Sequence, residues 1–195
     1  MILGITGGTG CGKTTLLEAV ESVGGLVLDC DQIYHELLLS DQEMLAAIES
    51  RFPGTVEDGA LNRKKLGGIV FSDEKALLDL NRITHSAVKK EVLRRLEANP
   101  KLAAIDAIGL FEGGLAELCH VTVAVTAPAA DRVKRIMLRD GISEAYAQNR
   151  IAAQHSDDWF RERCDYVLEN NSTIEDFRSK CIAFLQDIGI MKEKM

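Results

Sequence analysis

The strongest constraint on what this chain can fold into is a glycine-rich segment close to its N-terminus, Gly7-Gly8-Thr9-Gly10-Cys11-Gly12-Lys13-Thr14-Thr15. It matches the pattern Gly, four residues, Gly-Lys-Ser/Thr, and it lies between a strand-like apolar run and a helix-like one, the context that this pattern requires. Glycines adopt backbone angles that a Cβ forbids, so several N–H groups can approach one anion. The segment predicts a phosphate-binding loop.

The residues after the loop predict how it would hold a nucleotide. Apolar residues recur at helical spacing from Leu16, so the loop leads into a helix N-terminus, which favours an anion. Lys13 adds a positive charge, and the hydroxyl of Thr14 is expected to ligate Mg²⁺, with Thr15 as the alternative ligand. A glycine-rich turn without a ligand is disfavoured because Lys and Thr both follow the glycines. The predicted nucleotide-binding residues are Gly8, Thr9, Gly10, Cys11, Gly12, Lys13, Thr14 and Thr15.

Composition limits the class of protein. The 195 residues are 46% hydrophobic, enough for one domain with a sizeable core, and they contain no apolar run near the roughly 20 residues that cross a membrane. Five cysteines without a CxxC pair indicate reduced thiols, and the first residues lack the pattern of a signal peptide. We therefore expect a cytoplasmic protein without a membrane partner. The net charge of −7 argues against a nucleic-acid partner.

Five short apolar segments alternate with helical patterns, which is typical of a parallel sheet covered on both faces. The predicted fold is α/β, a three-layer arrangement around a parallel sheet of about five strands. The predicted strands lie near residues 2–6, 26–29, 102–108, 121–126 and 166–169.

The remaining segments are mostly helical in pattern. We predict a single phosphate-loop domain over residues 1–195, with a core of 1–30, 101–130 and 165–195 and a helical acceptor-binding insertion at about 31–100. The insertion contains no convincing strand, and its longest helix is predicted over residues 76–96. A second helical stretch, broken at Asp140-Gly141, is predicted to form a lid at about 131–164 that excludes water from the reaction.

Two carboxylates, Asp29 and Asp31, follow the second predicted strand. Ligands in open parallel sheets bind at the carboxyl ends of the strands, and residues i and i+2 of an extended strand point the same way. We therefore expect this strand to lie beside the phosphate loop, with both carboxylates toward the nucleotide and Asp31 as a base that accepts a proton from a substrate hydroxyl. The alternative is that one of them caps the following helix and the other is solvated.

Asp106, near the end of the third predicted strand, is a candidate to hold Mg²⁺ directly or through water. It also opens Asp-Ala-Ile-Gly, a weak match to the Asp-x-x-Gly of GTPase switches. The chain has no Asn-Lys-x-Asp sequence to read guanine, so a GTPase is disfavoured.

The chain resembles the dephospho-CoA kinases over nearly its full length, through the order and spacing of several motifs. These are the phosphate loop, Asp29-Cys30-Asp31, His85-Ser86, Gly109-Leu110-Phe111-Glu112, Arg139-Asp140 and Cys164-Asp165-Tyr166-Val167-Leu168-Glu169-Asn170. Ser86 and Gly109 stand where the family has proline, and Ser172 stands where it has glycine. A basic residue that the family has after Gln154 is displaced toward Arg161 and Arg163.

The resemblance implies transfer of a phosphoryl group from ATP, with Mg²⁺, to the ribose 3′-hydroxyl of dephospho-CoA by a monomer or weak homo-oligomer. By position, Asp31, Lys13 and Arg139 would be the catalytic residues, and Asn170 would lie beside adenine. The residues predicted to bind the acceptor are Asp29, His85, Leu110, Phe111 and Glu112.

Some alternatives stay open at this point. His85 is either an acceptor ligand or a packing residue, Trp159 either stacks on a base or anchors the lid, and Cys11 either has a lowered pKa and oxidises readily or simply fits the loop. The whole chain is alternatively a kinase for another small acceptor, such as a nucleoside monophosphate, or a nucleotide-dependent switch protein.

Overall fold

The fold is taken from a computed structural model, which describes residues 1–190. Within these residues the strands are β1 (Ile2–Thr6), β2 (Leu26–Asp29), β3 (Val56–Glu57), β4 (Ala60–Leu61), β5 (Ala103–Asp106), β6 (Val121–Thr126) and β7 (Tyr166–Glu169).

The α-helices within the same residues are α1 (Lys13–Ser22), α2 (Cys30–Ser40), α3 (Gln42–Arg51), α4 (Arg63–Val70), α5 (Glu74–Leu96), α6 (Ala129–Asp140), α7 (Glu144–Ala152), α8 (Asp157–Arg163) and α9 (Ile174–Asp187). None of the helices between residues 1 and 190 combines the length and the apolar character needed to cross a bilayer.

Five of the strands form one sheet in the order β2-β5-β1-β6-β7. β1 pairs in parallel with both β5 and β6, and β6 pairs in parallel with β7. The predicted α/β fold with a five-stranded parallel sheet is confirmed. The third predicted strand is shorter than expected, because the chain turns after Asp106.

A small hairpin, formed by β3 and β4, was missed by the sequence analysis. Its two turn residues, Asp58 and Gly59, have φ angles of 51° and 78°. Positive φ at both central residues marks the type I′ turn, for which Asp-Gly is a preferred pair. The signal was therefore present in the sequence, but two-residue strands are too short to show an alternating pattern.

The described chain divides into two compact units. The sheet unit contains Met1–Leu28, Asn99–Leu110 and the described residues from Leu115 onward, and the helical unit contains Asp29–Ala98 and Phe111–Gly114. In the helical unit, α5 packs against α2, α3 and α4. The interpretation of residues 31–100 as an acceptor-binding insertion and of 131–164 as a lid stays a prediction.

The core of the sheet unit lies where α1 and α9 pack together beside the central strands. Leu16 and Val20 of α1 and Cys181 of α9 are fully buried there with Leu3 of β1. Full burial of a large apolar side chain contributes roughly 1.5–3 kcal/mol. This packing holds both β1 and α1 in place, and so it holds the two ends of the phosphate loop that joins them.

Candidate nucleotide-binding site

The loop between β1 and α1 has the backbone that the glycines predicted. Gly7 and Gly12 have φ angles of 133° and 97°, in the region that disfavours side chains. A Cβ on Gly7 would lie 2.2 Å from the carbonyl oxygen of Val125 in β6. α1 begins at Lys13, and none of the described side chains caps it. The N–H groups at the very start of a helix have no carbonyl oxygen one turn earlier to bind, so those at the start of α1 can bind an anion.

Two side chains donate hydrogen bonds to carbonyl oxygens of this loop. The ammonium group of Lys13 donates a hydrogen bond to the carbonyl oxygen of Gly7 at 3.1 Å, and the buried amide of Asn170 donates to that of Cys11 at 2.9 Å. A Cβ on Gly12 would lie 2.3 Å from the amide nitrogen of Asn170. Asn170 thus contacts the loop backbone; its predicted place beside adenine stays a prediction.

Two arginines of α6 hold further carbonyl oxygens of the loop. Nε of Arg132 donates to the carbonyl oxygen of Thr9 at 2.9 Å, and Nη1 of Arg135 donates to that of Gly10 at 3.1 Å. These cationic side chains occupy carbonyl oxygens, the negative ends of the peptide dipoles, so that N–H groups of the loop other than that of Thr9 contribute to the potential that a polyphosphate meets. The two guanidinium charges strengthen that positive potential.

A candidate magnesium site combines Thr14 with Asp106. Thr14 is exposed in the first turn of α1, and Asp106, the last residue of β5, has a carboxylate oxygen 3.9 Å from Nζ of Lys13. Mg²⁺ prefers hard oxygen ligands and is held at phosphate sites by one or two protein groups, with water and phosphate completing its shell. A hydroxyl and one carboxylate beside the loop fit this ion.

The expected geometry of Asp29 and Asp31 is wrong in two respects. β5 lies between β1 and β2, so the second strand is not the neighbour of β1. The two residues are also not consecutive same-face positions of a strand, because α2 begins at Cys30. The carboxylate of Asp29 caps this helix by accepting from the N–H groups of Asp31 and Gln32 at 2.9 and 3.0 Å.

Asp31 itself is exposed in the first turn of α2. Its carboxylate is free of the capping role that Asp29 performs, so the two acids have different structural duties. The catalytic role of Asp31 and the acceptor-binding role of Asp29 stay predictions.

The residues predicted to bind the acceptor differ in exposure. His85 is half-buried on α5, Phe111 is half-buried and Glu112 is exposed in the turns that follow β5. Leu110 is fully buried, and its Cδ2 atom lies 2.8 Å from the position that a Cβ on Gly4 would take. The side chain of Leu110 therefore packs inside the sheet unit and supports the segment that follows β5 from within. It is not part of the exposed surface of that segment.

Arg139, predicted to be catalytic, lies at the end of α6 in an ion-pair cluster. Its guanidinium donates to the carboxylate of Asp140 at 2.7 and 3.0 Å, and Arg150 of α7 donates to the same carboxylate at 2.6 Å. The side chain of Arg139 is 60% exposed. The arginines that contact the loop are Arg132 and Arg135, on the preceding turns of the same helix.

The remaining open alternatives concern Cys11 and Trp159. Burial raises the pKa of the Cys11 thiol, more than the charges of Lys13 and Arg132 lower it. The thiol is therefore not activated, and the interpretation of Cys11 as a residue that fits the loop is preferred. The ring of Trp159 stacks on that of His155 at 3.8 Å, and the guanidinium of Arg163 lies over it at 4.3 Å, so these two ring contacts are made within its own segment.

Comparison with known proteins identifies the family. The family model of the dephospho-CoA kinases matches residues 1–176. This chain belongs to the dephospho-CoA kinase family. A dephospho-CoA kinase from Syntrophotalea carbinolica is 36% identical over 191 residues, which cover 95% of this chain and 90% of the relative. One from Lactobacillus johnsonii is 35% identical over 193 residues, covering 96% and 98%. The chain is therefore a kinase, as predicted.

Solved structures agree with this assignment. A crystal structure from Thermus thermophilus has a TM-score of 0.80 at 33% identity and covers 96% of this chain and 97% of its own, and the dephospho-CoA kinase from Campylobacter jejuni has a TM-score of 0.67 at 27% identity, covering 96% of each chain. Shikimate kinase from Acinetobacter baumannii has a TM-score of 0.55 at 20% identity, covering 99% of this chain and 95% of its own. The last likeness shows the fold alone.

Sequence reasoning missed part of the loop's surroundings. Arg132, Arg135 and Gln154 contact the loop, and none of them was predicted as a site residue. The spacing of Arg132, Arg135 and Arg139 along α6 was visible, and it places them on one face of a helix. What was not visible is which turn of α6 packs on the loop.

Proposed function

We propose that this protein transfers the γ-phosphoryl group of ATP to the ribose 3′-hydroxyl of dephospho-CoA, which forms coenzyme A in the last step of its synthesis. The choice of acceptor is supported by membership of the dephospho-CoA kinase family over residues 1–176. The donor half is supported by the loop geometry, in which side chains hold the carbonyl oxygens and leave N–H groups for phosphate.

The residues of the loop perform the donor half of the reaction by positioning and by charge. N–H groups at the start of α1 hold the phosphates of ATP, and Lys13 supplies a positive charge where negative charge develops in the transition state. Thr14 would hold Mg²⁺, with Asp106 as a direct or water-mediated ligand. The ion, when bound, neutralises charge on the phosphates.

The acceptor half rests on Asp31 and Arg139. In this proposal, Asp31 accepts the proton of the acceptor hydroxyl, and Arg139 leaves Asp140 to stabilise charge on the transferred group. His85, Phe111 and Glu112 would contact dephospho-CoA. A nucleoside monophosphate as acceptor, or a switch protein without an acceptor, is not favoured by the family match.

The working environment follows from charge and cysteine content. We infer a cytoplasmic enzyme, active as a monomer or weak homo-oligomer, without nucleic-acid or membrane partners. Its net charge of −7 opposes binding to the phosphate backbone of a nucleic acid, and its five cysteines suit a reducing compartment.

The experiment that tests the proposal follows ADP release with Mg²⁺-ATP in the presence and absence of dephospho-CoA. ADP release should depend on dephospho-CoA, and the product should gain one phosphoryl group by mass spectrometry. Lys13→Ala should reduce turnover by about two orders of magnitude or more, while Lys134→Ala, at an exposed position of α6, serves as the control. ADP release at the same rate without an acceptor would favour the switch protein.

A further inference from the structure

Two residues that come after β6 in the chain, Arg132 and Gln154, form hydrogen bonds with every polar group of Thr9 in the phosphate loop. Its N–H donates to Oε1 of Gln154 at 2.9 Å, and its hydroxyl oxygen accepts from Nε2 of Gln154 at 2.7 Å. Its carbonyl oxygen accepts from Nε of Arg132 at 2.9 Å. Contacts to backbone and side chain together fix both the position and the orientation of this residue.

Arg132 also contacts Gln154 and Asp157 directly. Its Nη2 donates to Oε1 of Gln154 at 3.0 Å, and its Nη1 lies 3.7 Å from a carboxylate oxygen of Asp157. Oε1 of Gln154 thus accepts from two donors while Nε2 donates to the hydroxyl of Thr9. The reverse orientation of the amide would place a donor against two donors, so the network determines which way Gln154 points.

The network is buried and tightly packed against the loop. Arg132 is 5% exposed, although it carries a full charge. A Cβ on Gly8 would lie 2.0 Å from Nη2 of Arg132 and 3.0 Å from Oε1 of Gln154. A side chain at position 8 would therefore displace the ends of these two side chains. Hydrogen bonds to a charged donor in a buried setting are stronger than exposed ones.

We propose that Gln154 is a positioning residue for ATP, which acts through Thr9 by forming, with Arg132, a clamp on the phosphate loop. This rests on the proposed function only in that ATP is the nucleotide. The clamp occupies the N–H of Thr9, so phosphate is held by N–H groups further along the loop and at the start of α1. Gln154 follows Ala153, the C-cap of α7, so the affinity for ATP depends on where the end of α7 lies.

The test replaces Gln154 and measures the nucleotide directly. Gln154→Ala should raise both the dissociation constant for ATP, measured by calorimetry without an acceptor, and the KM for ATP by about tenfold, the effect of about two lost hydrogen bonds. The KM for dephospho-CoA should change by less than about twofold. Gln148→Ala is the matched control, because this glutamine lies on α7 and its amide donates to Glu144 of the same helix.

A second variant keeps the test decisive if Gln154→Ala does not fold. Thr9→Val removes the hydroxyl and keeps the shape, so it should weaken ATP binding more than Thr9→Ser does. In a double-mutant cycle, the effects of Thr9→Val and Gln154→Ala should not add, because both remove the same hydrogen bond.

Three results would overturn the clamp. These are an unchanged or improved affinity of Gln154→Ala for ATP, additive effects in the cycle, and equal rises in the KM for both substrates. Each is distinct from a failure of the proposed function, which appears as wild-type protein that binds ATP but does not phosphorylate dephospho-CoA.

Discussion

At the scale of single residues, Asp29 and Asp31 show how position divides the duties of two identical side chains. The carboxylate of Asp29 accepts hydrogen bonds from two N–H groups at the start of α2, whereas Asp31 is the second residue of this helix and its side chain is exposed. A helix N-cap is satisfied equally well by Asp and Asn, but a base must be able to carry a proton. The two roles can therefore be separated by the same substitution.

We expect Asp31→Asn to bind ATP with wild-type affinity and to lose about two to four orders of magnitude in turnover, because the amide cannot accept the proton of the hydroxyl. The measurement pairs calorimetry of ATP binding with steady-state kinetics. Asp29→Asn is the matched control for stability, since it keeps the N-cap, whereas Asp29→Ala should cost about 1 kcal/mol in the free energy of unfolding. If Asp31→Asn loses ATP binding and turnover equally, Asp31 has a structural role.

At the scale of elements, the phosphate loop depends on glycine at positions where the backbone and its neighbours both exclude a side chain. Gly7 combines a φ of 133° with a carbonyl oxygen 2.2 Å from the place of a Cβ. Gly24, which follows α1, has a φ of 79° with nothing within 4 Å. The two positions share the backbone strain and differ in the space around them.

Gly7→Ala should therefore destabilise the protein more than Gly24→Ala. The second change costs about 1–2 kcal/mol for the left-handed backbone alone, and the first adds displacement of β6. Urea denaturation of both variants measures the difference, and calorimetry should show that only Gly7→Ala impairs ATP binding. Equal losses of stability would mean that the loop adjusts to a Cβ at Gly7 without cost.

In the helical unit, a charged cluster joins α5 to α2. The carboxylate of Glu91 accepts from Arg94 and Arg95 at 2.7 Å each, and Arg95 also pairs with Glu36 of α2. The hydrogen bond from Arg94, followed by that from Arg95, lowers the pKa of Glu91 from 4.5 to about 2. A lowered pKa in the folded state means that the ionised group stabilises the fold above pH 4.5 and that this stabilisation is lost as the pH falls toward about 2.

Glu91→Gln should consequently be less stable than wild type at neutral pH, and the difference should shrink between pH 4.5 and about 2. Denaturation curves at a series of pH values measure it. Glu21→Gln, at an exposed position of α1, is the control and should show no such trend. A difference that is constant with pH would mean that packing of Glu91, and not its charge, stabilises this cluster.

At the scale of the whole molecule, binding of ATP should stabilise the folded chain by mass action. At a free concentration of ATP 100 times its dissociation constant, the gain is about 2.7 kcal/mol. Thermal unfolding with and without Mg²⁺-ATP measures this gain as a higher midpoint. Lys13→Ala should lose most of it, whereas Lys134→Ala should keep it; an equal shift in both variants would place ATP away from the loop. Light scattering of the same samples tests the predicted monomer or weak homo-oligomer.

Much of the fold of the whole molecule follows from local patterns in the sequence. The central strands alternate with helices, and short apolar runs such as Val121–Thr126 and Tyr166–Glu169 become strands with the bounds that the sequence predicted. The order of the strands in the sheet is a different matter. β5 enters between β1 and β2, about seventy-five residues after β2 along the chain, and no local pattern records which strands are neighbours.

The sequence by itself determined the phosphate loop, the parallel α/β fold and the family, because glycine placement, apolar periodicity and motif order are local properties of the chain. Only the tertiary structure decided which side chains complete the loop. Arg132, Arg135, Gln154 and Asn170 lie more than a hundred residues from it and reach it through the packing of α6, α7 and β7. The sequence left open whether one of Asp29 and Asp31 caps the following helix, and the structure assigns that cap to Asp29, because α2 begins at Cys30.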